Sequence, residues 1–265
     1  MITDFIFDGM ALSDFGYVLF FDDSSDSTTV SNMSFESIKA ARSDAHQRIS
    51  YTYESNYECS FIIMKNPCVY ECEEQFLTND DVSEMVRWLS CKEYKWFRLI
   101  DDKDNDEIWY RAQIQIDKEY AGDNAYGLKL KVLTDSPYGY TKEQKRSDTL
   151  LNGDSLEVMV ISDEHTKIYP DVTITMRANG KFYLSNINSG VGTTLENCVQ
   201  GEVITIKGGN TCQISSTNDH NWETDFNYRF PYFDVKGTQS VEFRNNGVEC
   251  KVEMIYRGIR KVGLG

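Results

Sequence analysis

Three groups of residues carry side-chain types that do chemistry. The first is the run "FRLIDDKDNDEIWYRA", Phe97 to Ala112, in which Asp101, Asp102, Asp104, Asp106 and Glu107 crowd one short segment. Oxygen-rich loops bind calcium, and a helix-loop-helix site starting at Asp102 would use Asp104 and Asp106 as ligands. The same pattern needs glycine where Glu107 stands and a bidentate glutamate where Gln113 stands, and both are missing. The run is therefore expected to be a solvated hairpin loop without a structural metal.

The second group is "HNWETDFNYRFPYF", His220 to Phe233. Trp222 and Tyr228 offer ring faces on which a sugar could stack. Glu223 and Asp225 would match the two carboxylates of a glycosidase, one acid and one nucleophile or base. In a chain with 42 acidic residues such a pair carries little information, and core aromatics beside exposed acids explain the same letters. The third group is the seven cysteines and three histidines. No CxxC occurs; Cys68 and Cys72 make only a CxxxC, and His46, His165 and His220 form no HxxxH or HExxH. Buried free thiols in a reducing compartment are the expectation. No GxSxG or phosphate loop appears, and "GGN" at Gly208–Asn210 suits a turn, since no helix follows it. No catalytic, metal or cofactor set is assigned.

The elements that would position these residues are mostly strands. Tyr57, Cys59, Phe61 and Ile63 alternate, as do Ile108, Tyr110, Ala112, Ile114 and Ile116, and then Tyr126, Leu128, Leu130 and Val132. One segment has helical spacing: Val82, Met85, Val86 and Leu89, behind Thr78 as cap with Asp81 three residues on. After "LTDSPYGYTKEQKRSD" a polar stretch at 141–150 is expected to be a linker, dividing residues 1–140 from 151–265. Beyond it Leu156, Val158 and Val160 alternate, and "YPDVTITM" follows as a strand. "EVITIKGGNTCQI" is expected to turn as a hairpin at Gly208-Gly209, and "VEFRNNGVECKVEMIY" at Asn246-Gly247.

Composition agrees with a mainly β protein: 16 Tyr and 14 Phe against 4 Pro in 265 residues. A formal net charge of −15 disfavours nucleic-acid binding, which draws its affinity from clustered Lys and Arg. The start, "MITDFIFDGM", lacks a basic region and a sustained apolar core, so no signal peptide is expected, and the apolar runs are too short to cross a membrane.

Order and spacing over nearly the whole chain resemble the distal tail proteins of long-tailed, siphovirus-like phages and prophage tail elements. "FIFDGMALSDFGYVL" is similar to that family's opening. The helix ending at Trp88-Leu89, "KWFRLID" and "IWYRAQIQI" follow in its order. "DSPYGY" is similar to the close of its first domain, and "FPYFDVKGTQSVEFRNNGVECKVEMIYRGIRKV" to its ending. The resemblance implies an N-terminal β-sandwich with one helix and an extended hairpin, then a galectin-like β-sandwich. It implies a homo-hexameric hub ring in the virion tail, made in the host cytoplasm, without enzyme activity or cofactor. The ring would join the tail tube protein to the tail tip or baseplate, with the tape measure protein and DNA passing through it. The alternative is a carbohydrate-binding module for host attachment, using Trp222 and Tyr228.

"SFESIKAARSDAHQRISYTYESN" mixes Phe35, Ile38, Ile49, Tyr51 and Tyr53 with Arg42, Asp44 and Arg48. Apolar centre and charged rim suit a hairpin laid across a neighbouring subunit, although an ordinary internal hairpin has the same composition.

Overall fold

The structure, a computed structural model, describes residues 2–21, 33–38, 48–53, 56–71, 74–101, 107–209 and 211–261. The chain divides into two units, Met1–Tyr140 with Lys261–Gly265, and Thr141–Arg260.

The strands of the first unit are β1 (Ile2–Phe7), β2 (Met10–Ala11), β3 (Tyr17–Phe21), β4 (Met33–Ile38), β5 (Arg48–Tyr53), β6 (Glu58–Lys65), β7 (Lys95–Asp101), β8 (Tyr110–Ala121), β9 (Asn124–Thr134) and β10 (Gly139–Tyr140), with helix α1 at Asn79–Leu89. Seven of them form one sheet in the order β2-β1-β7-β8-β9-β6-β3. The alternating residues face one core: Phe61, Ile63, Ala112, Leu128, Leu130 and Val132 are all fully buried. Three strands separate β1 from β6 in the sheet, yet the Phe5 and Phe61 rings are 5.4 Å apart. The sheet therefore curls over and packs against itself, making a sandwich from one hydrogen-bonded surface.

Helix α1 begins where its capping box lies. Thr78 Oγ1 accepts from the Asp81 amide at 3.2 Å, and the Asp81 carboxylate accepts from the Thr78 amide at 2.7 Å. Met85, Trp88 and Leu89 form its buried face. Val86, expected there, is 40% exposed, because the buried stripe is centred between Trp88 and Leu89 and Val86 points away from it. The Trp88 ring stacks on Phe15 at 4.4 Å and its indole N–H donates to the Phe7 carbonyl at 3.1 Å. The ammonium of Lys65, a nearly buried side chain on β6, lies 2.8 Å from Asp81 and donates to the Glu74 carbonyl at 3.1 Å. The buried charge is thus paired, and the pair fixes the helix start to the sheet.

The second unit contains β11 (Gln144–Leu150), β12 (Ser155–Ile168), β13 (Asp171–Met176), β14 (Gly180–Asn186), β15 (Val191–Cys198), β16 (Val203–Lys207), β17 (Gln213–Ser216), the one-turn helix α2 (Trp222–Asp225), β18 (Phe233–Asn245), β19 (Cys250–Tyr256) and β20 (Ile259–Arg260). Two antiparallel sheets, β11-β19-β13-β16-β17 and β12-β18-β14-β15, enclose a common apolar core. The pattern on β12 is regular, with Leu156, Val158 and Val160 buried and their neighbours exposed.

Two expectations are corrected here. Residues 144–150 are not linker: they pair with β19 from Gln144↔Tyr256 to Leu150↔Cys250. This is an edge strand whose residues are exposed except Leu150, so it shows no hydrophobic period. Its place is set by the backbone ladder. The Asn246-Gly247 turn is not a hairpin either, because β18 and β19 belong to different sheets. The chain crosses the core edge there. The Asn245 side chain donates to the carbonyls of Leu150, Leu151 and Val248 at 3.0, 3.2 and 3.0 Å, and its own oxygen accepts from the Gly247 amide at 3.0 Å. A Cβ on residue 247 would collide with the Lys181 carbonyl oxygen. The Gly208-Gly209 turn does join a hairpin, β16 with β17.

Candidate functional site

The hairpin expected at 34–56 exists as a backbone ribbon. Strands β4 and β5 pair with each other from Met33↔Tyr53 through Phe35↔Tyr51 and Ser37↔Ile49 to Ile38↔Arg48, and with no other strand among the described residues. Phe35, Ile49, Tyr51 and Tyr53 therefore share one register parity, while Ile38 and Arg48 have the other. Arg42 lies outside the described residues. The strand before the ribbon, β3, is an edge of the seven-stranded sheet, and Phe20 and Phe21 on it are each 44% exposed.

Of the acidic run, residues 102–106 lie outside the described set. Its flanks are antiparallel partners, β7 and β8, and Glu107 is 3.3 Å from Arg98.

The aromatic stretch is divided by the fold. Tyr228 has a positive φ of 54° and is 60% exposed, its ring 5.3 Å from buried Phe226. Trp222 instead packs against the second core, 5.3 Å from the His220 ring. Of the carboxylates considered for catalysis, Asp225 is taken up by hydrogen bonds from Asn197 at 3.0 Å and the Asn221 amide at 3.2 Å, and Glu223 is exposed. The pair does not converge on an open cleft.

What converges is a buried polar cluster that no sequence spacing announced. His220 Nε2 lies 2.6 Å from a Glu202 oxygen, and Nδ1 lies 3.3 Å from Asp225; the imidazole and the Glu202 carboxylate are fully shielded from solvent. Ser216 Oγ donates to Glu202 at 2.5 Å and the Val199 amide donates to it at 2.9 Å. Burial alone would raise the Glu202 carboxyl, but the hydrogen bonds from Ser216, His220 and Val199 outweigh it and hold the group below its ordinary range. Asp225 is lowered by the same balance. Cys198 Sγ stands in the same cluster, its thiol pushed up to about 12 first by burial and then by Glu202 and neighbouring carboxylates. Ligand atoms of Cys198, Glu202 and His220 all fall within 4.8 Å of one another.

On the outer side of β12 and β18 there is a groove of about 430 Å³ lined by Ser155, Glu157, Ile187, Asn188, Ser240 and Glu242. Glu157 and Glu242 are direct cross-strand partners, each held by a serine hydroxyl, Ser240 at 2.5 Å and Ser155 at 2.6 Å.

No curated protein matches the chain. The solved Dit protein of SPP1, described as a paradigm of the hub adsorption apparatus in phages infecting Gram-positive bacteria, shares its fold. That match has a TM-score of 0.60 and 8% identity over 97% of this chain and 99% of that one. A chain of the phage P2 baseplate in its activated conformation with Ca matches at TM-score 0.51 and 10% identity, over 97% and 98%. The same baseplate with Sr gives 0.53 and 10%, over 96% and 98%. Residues 1–136 match the family described as phage tail protein N-terminal domain, and residues 138–256 the family described as phage tail C-terminal domain. Carrying both domains in order on a fold shared with a distal tail protein, the chain belongs to this family of phage tail proteins.

Proposed function

We propose that this tail protein is a structural hub without catalytic activity. Six copies close into a ring that joins the tail tube to the tail tip or baseplate. Residues 1–140 build the ring, and the second unit is a galectin-like sandwich. The observation carrying this reading is the β4–β5 ribbon, a two-stranded sheet that joins no larger sheet among the described residues. A two-stranded ribbon is marginal by itself and gains stability by lying on another surface. A neighbouring copy, met head to tail, supplies that surface and closes a ring when the rotation permits. The likeness to the SPP1 hub protein supports the same reading. With a net charge of −15, the ring repels DNA in transit rather than retaining it.

Cryo-electron microscopy of assembled tail tips tests this. The expected result is a six-fold ring with residues 33–53 against the adjacent copy. A ring without that contact removes the ribbon's role, and a basic channel that retains DNA removes the electrostatic argument.

A further inference from the structure

We propose that Cys198, Glu202 and His220 form a structural site for a divalent transition-metal ion of the zinc type. Thiolate, carboxylate and imidazole are the donor types that zinc takes, whereas calcium collects oxygens only. The three come from the end of β15, the turn before β16 and the segment before α2, so they meet through folding alone. Cys198 is 2% exposed, and the side chains of Glu202 and His220 are wholly enclosed.

The arrangement around His220 gathers donor atoms at one enclosed point. Nδ1 faces the Asp225 carboxylate at 3.3 Å, which leaves Nε2 as the ligand atom. Nε2 and a Glu202 oxygen lie 2.6 Å apart beside the Cys198 sulfur, away from water. The surroundings resemble the outer ligand shell of a metal site. Asp225 fixes the ring, as carboxylates do for metal-bound histidines, and Ser216 and the Val199 amide fix the glutamate.

The 2.6 Å separation is that of the metal-free state, in which a proton bridges His220 and Glu202 and the Cys198 thiol donates to the Leu195 carbonyl at 3.3 Å. Zinc-ligand lengths require that pair to open to roughly 3.3 Å, and an enclosed water would complete the tetrahedron beside the three protein donors. Binding displaces two protons, the bridging one and the thiol proton, while Cys198 becomes the thiolate ligand. The ion would tie the segment carrying Trp222 and Tyr228 to β15 and the β16 turn.

The test uses the full chain, stripped with a chelator and titrated with Co(II). The expected result is one equivalent bound, with a thiolate-to-cobalt band that zinc abolishes, and a zinc-dependent rise in Tm of roughly 5 °C or more. Cys198→Ser should remove the band, and Asp225→Asn should weaken binding about 10-fold. X-ray absorption of the zinc form of the unsubstituted protein, which needs no variant to fold, should show one sulfur at about 2.3 Å among lighter ligands. No stoichiometric uptake, or a sulfur-free metal environment, overturns the site. An undiminished band in a folded Cys198→Ser protein overturns it too, placing the metal on another thiol.

Discussion

Single residues hold the joints of this protein, and their effects can be measured separately. Asn245 is fully buried and satisfies three carbonyls on both sides of the crossing between the sheets. Asn245→Ala strands those oxygens and should destabilise the second unit by about 3 kcal/mol, read from urea unfolding. Asp81 makes a pH prediction. Burial pushes its carboxyl upward, but the Lys65 ion pair and the Thr78 hydrogen bonds prevail, so its folded value lies below the ordinary one. A carboxyl with a depressed folded value stabilises fully above its unfolded value, about 3.9, and loses that contribution as pH falls through the folded value. Asp81→Asn should therefore cost about 2 kcal/mol at pH 7, and the two proteins should converge well below pH 4. For Trp222, which is packed rather than open, we expect simple sugars to bind no tighter than about millimolar. Reproducible micromolar binding on a glycan array, lost in Trp222→Ala, would instead favour the carbohydrate-binding reading. The Thr78–Asp81 cap was legible locally, whereas long-range roles were not: Asn245 acts on Leu150, 95 residues away, and His220 meets Glu202 only through the fold.

Elements with a periodic buried face were legible in the sequence, and elements defined by their neighbours were not. Helix α1 announced itself through Thr78 and Asp81, and β6, β8, β9 and β12 through alternation. Strand β11 could not be read, since an exposed edge strand has no core side to reveal it. The crossing at Asn246-Gly247 has the letters of a hairpin turn, and only the assignment of β18 and β19 to separate sheets distinguishes it. The β4–β5 ribbon supplies the prediction at this scale. Replacing residues 35–51 with a short Gly-Ser turn should leave the Tm within about 2 °C, because the ribbon adds no strand to the seven-stranded sheet. The same change should abolish ring assembly onto tail tubes, scored by electron microscopy. A variant that still assembles would count against the intersubunit role.

At the scale of the whole molecule the two apolar cores share no residue. Leu130→Ala, at a fully buried position of the first, should cost about 3 kcal/mol there and leave amide exchange of β12 and β18 unchanged; Val158→Ala should do the reverse. The two cores also differ in when they can form. Every strand of the seven-stranded sheet has been synthesised once Thr134 is added. In the second unit the earliest strands wait for the latest: Leu150 pairs with Cys250 and Ser155 with Arg244. At ribosomal speeds of about 5–20 residues per second, the gap between the two events is on the order of ten seconds. During it, a finished seven-stranded sheet trails a nascent half that can complete neither of its own sheets. A message truncated before the codons of β18 would accordingly yield chains with a complete first sheet tethered to an unfolded, aggregation-prone tail.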